Sequence, residues 1–326
     1  MPYKLINIRD MDVNQEILKL DWKRQPYGLY APIEYTLSAG GKRVRPQLAM
    51  IACQLFEGKE EEVLPAALAL EVFHNFTLLH DDVMDKAEIR RGRPTVHVKW
   101  DENTAILSGD QMMIEAYKLL AQLPDTKLPT ALRMFNRMAT EICEGQQWDV
   151  DFESQDDVSI EAYLEMIRLK TSVLLATALQ IGAYIAGANQ SEQETIYQFG
   201  IHIGLAFQIQ DDILDVWGDP LTFGKSVGGD IACNKKTFVY LTALNLLDKE
   251  GLKHELKHWF GQTLENNAEK IAAVKTIYDQ IGVRKACERV VEQYTQKALL
   301  LLKELPQNNA TLQLRQLADQ LNTRNS

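Results

Sequence analysis

Cysteine is scarce in this chain of 326 residues, and the few that occur stand far apart in the sequence. They are Cys53, Cys143, Cys233 and Cys287. Because no two of them form a C-x-x-C pair, the pattern argues against a disulfide framework and against a cysteine-bound zinc site. The first residues also carry charges where a secretion signal needs an apolar core. We therefore expect a cytoplasmic protein.

Positive charge is also in short supply, since 35 Lys and Arg residues face 45 Asp and Glu residues and give a net charge of −10. Nucleic-acid binding needs a positive field that displaces counterions, so we expect no nucleic-acid partner. The one long uncharged run, residues 171–190, includes Ser172 and Gln180. It is only moderately apolar, and a buried core helix has the same composition, so we expect no membrane span.

Strand patterns and linkers are nearly missing as well. Only residues 95–100 alternate in the way a strand requires, and no stretch rich in Gly, Pro and Ser divides the chain. Elsewhere apolar residues recur at helical spacing, which predicts long helices from Pro65 through the first acidic motif and over 161–186 and 192–217. The sequence therefore predicts an all-α fold with a single domain over residues 1–326.

One acidic motif occurs twice, as DDVMD at 81–85 and as DDILD at 211–215, each at the end of an apolar helix. Positions four apart share a helix face, which pairs Asp81 with Asp85 and Asp211 with Asp215. Unpaired carboxylates are costly to bury, so such a stripe faces water or binds cations. Hard oxygen donors without thiols suit Mg²⁺. Two such helices would hold Mg²⁺ around a diphosphate.

Two basic clusters stand out against the acidic background, GGKRVRP at 40–46 and RRGRP at 90–94. Glycine lets a backbone approach an anion closely, and arginine offers a planar fork for phosphate oxygens. Solvated loops are the alternative explanation for either cluster alone. Together with the paired carboxylate motifs, the clusters imply a polyphosphate ligand.

These segments, in this order, resemble the trans-isoprenyl diphosphate synthases, the polyprenyl synthetase family. The resemblance runs from about residue 35 to 236 and includes GGKRVRP, LLHDDVMD with RRGRPTVH, and QIQDDILD with the lysines after it. It implies a bundle of long helices around a deep apolar cavity, Mg²⁺ as cofactor and a homodimer. It also implies condensation of isopentenyl diphosphate with an allylic diphosphate, giving a trans-prenyl diphosphate.

The resemblance further implies a role for each matching residue. The metal ligands would be Asp81, Asp85, Asp211 and Asp215, with Asp82 completing the first cluster. Isopentenyl diphosphate would be bound by Lys42, Arg45, His74 and Arg91. The allylic diphosphate would be bound by Arg90, Lys225 and Lys235. The allylic cation would be stabilised by dipoles of Lys170, Thr171 and Gln208. Phe223 stands where many members of the family have threonine.

Product length is implied by Phe76, which precedes Asp81 by five residues, or about 7.5 Å of helix. In the family a bulky residue at this place acts as the floor of the product cavity. Phe76 and the neighbouring Thr77 therefore predict a short-chain product, C15 or C20. Phe73 is the next candidate for the floor, and a medium- or long-chain synthase is the alternative.

Other activities share some of these features. A class I terpene synthase uses the same metal-triggered ionisation, but the residues of the isopentenyl diphosphate pocket count against it. A metal phosphohydrolase would need more metal-spaced histidines, and the H-E-x-x-H match at 254–258 lies in a solvated amphipathic stretch rather than a zinc-protease cleft. A non-catalytic subunit would be expected to lose one acidic motif, and both are intact.

Overall fold

The computed structural model describes residues 13–219, 227–247, 250–262, 264 and 266–322, and its fold is all-α, as predicted. The only strands in that part of the chain are β1 (Ile89–Arg90) and β2 (Arg93–Pro94), which form one antiparallel hairpin. A π-helical turn, Arg168–Ser172, lies between two of the helices. A 3₁₀ turn, Leu302–Glu304, follows another helix.

The helices of the described residues are named in chain order. They are α1 (Val13–Leu18), α2 (Tyr27–Ser38), α3 (Val44–Leu55), α4 (Glu60–Met84), α5 (Val96–Lys99), α6 (Glu102–Leu120), α7 (Leu128–Ser154), α8 (Ile160–Ile167), α9 (Val173–Ala186), α10 (Gln190–Trp217), α11 (Gly229–Ala232), α12 (Phe238–Leu246), α13 (Glu250–Phe260), α14 (Ala268–Ile281), α15 (Val283–Leu301) and α16 (Asn309–Asn322).

Helix α4 carries the first acidic motif, and it begins earlier than the sequence predicts. It starts at Glu60 and contains Pro65, which was expected to open it. Three glutamates occupy its first turn, where the exposed backbone N–H groups favour negative charge. This stabilisation lets the helix begin a turn before the proline. The apolar residues that follow are almost all buried, so α4 is a core helix.

Residues 95–100, the one stretch that alternates in the way a strand requires, contain no strand. Residues Val96–Lys99 form the short helix α5, and the strands lie just before it. Alternation over so few residues fits one helical turn as well as a strand. The hairpin forms instead where Arg91 and Gly92 both adopt left-handed backbone angles, with φ of 51° and 72°. A two-residue turn of this kind matches the twist of a β-hairpin.

The described residues cluster into two compact units. The first contains residues 13–136, 177–196 and 306–313, and the second contains 137–176, 197–305 and 314–322. The first acidic motif and both basic clusters belong to the first unit, whereas the second acidic motif belongs to the second. The single domain expected over residues 1–326 stays a prediction.

Two helical stretches of the described chain are long and apolar enough to cross a membrane, Glu60–Met84 and Ile160–Ala186. Within their most apolar windows, 61% and 78% of the residues are buried inside the protein. A helix that is apolar around most of its circumference is also what a soluble core requires. Both stretches are therefore core helices in this fold.

Candidate functional site

The first acidic motif lies at the carboxyl end of α4, and its three aspartates differ in burial. Asp82 is buried, Asp81 is half-buried and Asp85 is exposed at the helix end. The Asp85 amide donates to the Asp81 carbonyl at 2.8 Å, which continues the helical geometry to Asp85. Asp81 and Asp85 therefore lie on one side of the helix, as their spacing predicts.

The buried aspartate of this motif binds an arginine of the hairpin. Arg90 Nε donates to Asp82 Oδ1 at 2.7 Å, and Arg90 Nη2 lies 3.8 Å from Asp81 Oδ2. Burial raises the pKa of the Asp82 carboxyl, although Arg90 works in the opposite direction. Arg90 is thus held beside the acidic motif by a charge-assisted bond.

The two basic clusters meet in the first unit. Arg91, in the hairpin turn, donates from Nη1 to the carbonyl of Gly40. A Cβ built on Gly41 would lie 3.1 Å from the Arg91 guanidinium carbon, and Gly41 has a φ of 140°. The missing side chain therefore gives the guanidinium close access to the loop, whereas the sequence predicts such an approach for an anion.

His74 lies among these cations. Burial lowers the pKa of its imidazole well below the ordinary value, and four arginines lower it further. The four are Arg45, Arg91, Arg90 and Arg43. Burial also lowers the pKa of the Arg45 guanidinium to about 10, against the opposing effect of Glu71. The imidazole is therefore neutral at pH 7, and the arginines give this region a positive field suited to an anion.

A buried ion pair supports the first basic loop. Arg43 Nη1 donates to Glu71 Oε1 at 2.7 Å, with side chains only 3% and 2% exposed. The Asn75 amide donates to the same Glu71 oxygen at 3.0 Å, and Arg91 Nη1 lies 3.5 Å from Asn75 Oδ1. Glu71 and Asn75 were not predicted from the sequence as site residues. Glu71 could have been noticed in the sequence, because a carboxylate inside the apolar run of α4 needs a buried partner.

The residues expected to limit product length also lie on α4. Phe76 is buried, and its ring packs edge-on against Phe73 at 5.3 Å and against His80 at 4.8 Å between centroids. Phe73 packs in the same way against Phe135, so the rings form an aromatic cluster. Thr77 is half-buried, and its hydroxyl donates to the carbonyl of His74 at 2.8 Å.

The second acidic motif lies on α10 in the second unit. Asp211 is half-buried, whereas Asp212 and Asp215 are buried. One oxygen of Asp215 accepts the backbone N–H of Asp230 at 3.0 Å, at the start of α11. Burial raises the pKa of the Asp212 carboxyl and Asp230 adds to this effect, whereas hydrogen bonds from Tyr163, Gln208 and the Phe238 backbone lower it.

A cavity of about 140 Å³ lies in the same unit. It is lined mainly by polar side chains, among them Asp149, Tyr163, Lys170, Thr171, Gln208, Asp212, Asp230, Lys235 and Lys236. Four of the residues chosen from the sequence are therefore together here: Lys170, Thr171, Gln208 and Lys235. Lys225, which was expected to join them, lies outside the described residues.

Lys170 and Thr171 reach this cavity from the π-helical turn between α8 and α9. Such turns change the direction of side chains within a helix and recur at functional sites. Thr171 Oγ1 donates to Gln208 Oε1 at 3.1 Å, and Lys170 Nζ pairs with Asp149 Oδ2 at 2.6 Å. Asp149 was not predicted from the sequence, because none of its neighbours in the chain indicates that it belongs to a site.

Two glycines allow other helices to approach the π-helical turn. A Cβ on Gly145 of α7 would lie 2.5 Å from the backbone nitrogen of Lys170. A Cβ on Gly204 of α10 would lie 2.5 Å from the Cα of Ser172. These separations are too short for real atoms, so the turn keeps its position only because both residues lack a side chain.

The donor set of the two motifs fits Mg²⁺ by its chemistry, because it consists of carboxylate oxygens. Mg²⁺ uses one or two carboxylates and fills its other positions with water and phosphate oxygens. No three carboxylate, imidazole or thiol groups converge on one point within the described part of the chain. Each motif instead offers a pair: Asp81 with Asp85, and Asp211 with Asp215.

Comparison with known proteins gives a consistent result. The sequence profile described as "Polyprenyl synthetase" matches residues 26–281. The chain is 36% identical over 315 residues to a geranylgeranyl pyrophosphate synthase of Geoglobus acetivorans, and the match covers 95% of this chain and 96% of that protein. It is similar to a crystal structure of geranylgeranyl pyrophosphate synthase, with a TM-score of 0.90, 48% identity and 96% of both chains covered.

A second solved structure is similar and carries ligands. It is the geranylgeranyl pyrophosphate synthase from Corynebacterium glutamicum complexed with isoprenyl diphosphate and magnesium. The TM-score is 0.86 at 29% identity, with 96% of this chain and 97% of that chain covered.

Proposed function

The chain belongs to the polyprenyl synthetase family, and from this we infer that it is a trans-prenyltransferase that makes short-chain prenyl diphosphates. It would join isopentenyl diphosphate to an allylic diphosphate. The observation that carries this proposal is the assembly of Arg45, Arg91 and a neutral His74 in one positive region beside the first acidic motif. A diphosphate is the ligand class that such a field binds most strongly.

We propose Mg²⁺ as the cofactor, with Asp81 and Asp85 as its ligands in the first motif and Asp211 and Asp215 as its ligands in the second. Support comes from the carboxylate pairs and from the similar structure complexed with magnesium. When bound, the metal supplies Lewis-acid stabilisation of the departing diphosphate. Arg90, which Asp82 holds in place, adds positive charge to the same group.

Isopentenyl diphosphate is proposed to bind through the basic loop and the hairpin turn. The arginine forks of Arg45 and Arg91 suit phosphate oxygens, and Lys42 adds an exposed charge. The neutral imidazole of His74 can donate one hydrogen bond without adding charge. These groups hold the five-carbon unit while its double bond reacts.

The allylic substrate is proposed to bind through Lys225 and Lys235 and to react beside Lys170, Thr171 and Gln208, while the role of Arg90 in this binding stays a prediction from the sequence. Its C–O bond breaks, and the electron pair leaves with the diphosphate. The carbonyl and hydroxyl dipoles of the second group stabilise the allylic cation. The isopentenyl π electrons form the new C–C bond, and the released diphosphate takes the proton that is lost.

Replacing Phe76 with alanine is expected to lengthen the product by at least one five-carbon unit. The change removes a buried ring from the aromatic cluster on α4 and leaves space where the growing chain would otherwise stop. Phe76→Tyr keeps the bulk and is expected to keep the wild-type product. The products are sized by chromatography with labelled isopentenyl diphosphate. An unchanged distribution for Phe76→Ala would reject Phe76 as the floor.

The activity itself is tested by giving the purified chain Mg²⁺ and labelled isopentenyl diphosphate with dimethylallyl, geranyl or farnesyl diphosphate in turn. A C15 or C20 allylic diphosphate is the expected product. Products of C30 or longer would support the condensation reaction but contradict the short-chain assignment. A hydrocarbon formed from the allylic substrate alone would indicate a terpene synthase instead.

We propose that the chain acts in the cytoplasm as a homodimer. Helix α6 exposes three large apolar side chains, Ile106 at 43%, Leu107 at 58% and Ile114 at 49%. Covering such a patch with a second copy would remove apolar area from water. We expect Leu107→Glu to lower the sedimentation coefficient from the value of a dimer to the value of a monomer. A wild-type chain that sediments as a monomer at micromolar concentration contradicts this part of the proposal.

A further inference from the structure

A buried hydrogen-bond network lies behind Thr171 and Gln208. Tyr163, on α8, donates its hydroxyl to Asp212 Oδ2 at 2.6 Å, and the backbone N–H of Phe238 donates to the same oxygen at 3.1 Å. Gln208 Nε2 donates to the other carboxylate oxygen of Asp212 at 3.2 Å. Tyr163 and Asp212 are only 5% and 3% exposed. The carboxylate thus accepts three hydrogen bonds, which favour its charged form against the effect of burial.

This network fixes which end of the Gln208 amide points toward Thr171. A glutamine amide has a donor end and an acceptor end that are nearly equal in shape. Because Asp212 takes the amino group, Oε1 points the other way and accepts from the Thr171 hydroxyl at 3.1 Å. Both Gln208 and Thr171 line the cavity of the second unit.

The orientation has an electrostatic consequence. The oxygen end of an amide dipole stabilises a nearby cation, whereas the N–H end destabilises it. If the amide rotated by half a turn, its hydrogens would point where positive charge develops. Ordinary packing does not prevent this rotation, since the two ends occupy the same volume.

We propose that Asp212 and Tyr163 are positioning residues that keep the Gln208 carbonyl oxygen directed at the allylic cation. This inference rests on the proposed prenyltransferase activity and deepens it. Asp212 supplies a hydrogen-bond acceptor, and only the amino end of the Gln208 amide can donate to it. Tyr163 fixes the plane of that carboxylate, because without its hydroxyl the Oδ2 atom keeps only the Phe238 N–H of the two donors described above.

Two single variants test the role of the network. Asp212→Asn keeps the size but offers both a donor and an acceptor, so both orientations of Gln208 become acceptable. We expect its kcat to fall about tenfold, with the KM of each substrate within about twofold of the wild type. Tyr163→Phe keeps the ring, and we expect a fall in kcat of about threefold. Tyr240→Phe alters another buried tyrosine of the second unit and should leave kcat unchanged.

A double variant separates orientation from fold. The double variant combines Asp212→Asn with Gln208→Glu. It moves the carboxylate from position 212 to position 208, and the amide introduced at position 212 can donate to that carboxylate. Because a carboxylate has an oxygen at each end, an oxygen again faces Thr171 whichever way the group turns. We expect kcat to recover to within about threefold of the wild type. A merely structural role for Asp212 predicts no such recovery.

The proposal is overturned if Asp212→Asn has the kcat of the wild type. It is also overturned if the double variant is as slow as Asp212→Asn alone. If Asp212→Asn does not fold, as judged by its circular dichroism melting curve, Tyr163→Phe decides, and an unchanged kcat overturns the proposal. A wild-type chain that forms no C–C bond contradicts the proposed function itself, before any variant is compared.

Discussion

Replacing Asp81 with alanine is expected to lower the rate of condensation by about 10²- to 10³-fold while the chain stays folded. The change removes one oxygen donor of the proposed Mg²⁺ site, and stabilisation of this kind is worth several kcal/mol in the transition state. The fold should survive because Asp81 is only half-buried and the hairpin stays bound through the 2.7 Å contact between Arg90 and Asp82.

The matched control is Asp125→Ala, which removes an exposed carboxylate of the same unit outside both motifs. It should leave kcat and the Mg²⁺ dependence unchanged. The measurement is kcat over a titration of Mg²⁺, with circular dichroism as the test of folding. Near-normal turnover in Asp81→Ala, at ordinary Mg²⁺ concentration, would show that this motif does not hold the metal.

Replacing Glu71 with alanine is expected to lower the free energy of unfolding by about 3–5 kcal/mol. The change leaves the buried guanidinium of Arg43 without its carboxylate, although that side chain is only 3% exposed. It also removes an acceptor of the Asn75 amide, which in turn contacts Arg91. The KM for isopentenyl diphosphate should therefore rise more than the KM for the allylic substrate.

The control for this prediction is Glu16→Ala, which breaks the Glu16–Lys19 pair on the surface of the same unit. Exposed pairs contribute about 0–1 kcal/mol, so the urea midpoint should barely move. The two variants are compared by urea denaturation and by steady-state kinetics. Equal midpoints for Glu71→Ala and the wild type would mean that the buried pair does not support the loop.

The acidic and basic motifs could be predicted from the sequence because their chemistry is local. Four-residue spacing alone places Asp81 beside Asp85, and the helix continues far enough to confirm it. Glycine next to arginine likewise predicted a loop that an anion could approach, and in the structure the Arg91 guanidinium lies against Gly41 of that loop. Such features depend on a few neighbouring residues and on no distant partner.

The supporting residues could not be predicted in the same way. Tyr163 precedes Asp212 by 49 positions, and only tertiary packing brings the hydroxyl to the carboxylate. Asp149 meets Lys170 because glycine at 145 lets α7 approach the π-helical turn, and no sequence pattern around either residue indicates this contact. Glu71 is an intermediate case, since its charge within an apolar helix already required a partner but did not identify Arg43.

The proposed roles of the site residues depend on one central claim, that each diphosphate released from the allylic substrate is matched by one new C–C bond. The direct measurement counts both products in the same reaction, with saturating Mg²⁺ and then with EDTA. We expect one diphosphate released for each isopentenyl unit incorporated, no reaction in EDTA, and full recovery when Mg²⁺ is restored. Release of diphosphate without incorporation, or condensation that persists in EDTA, would contradict the claim.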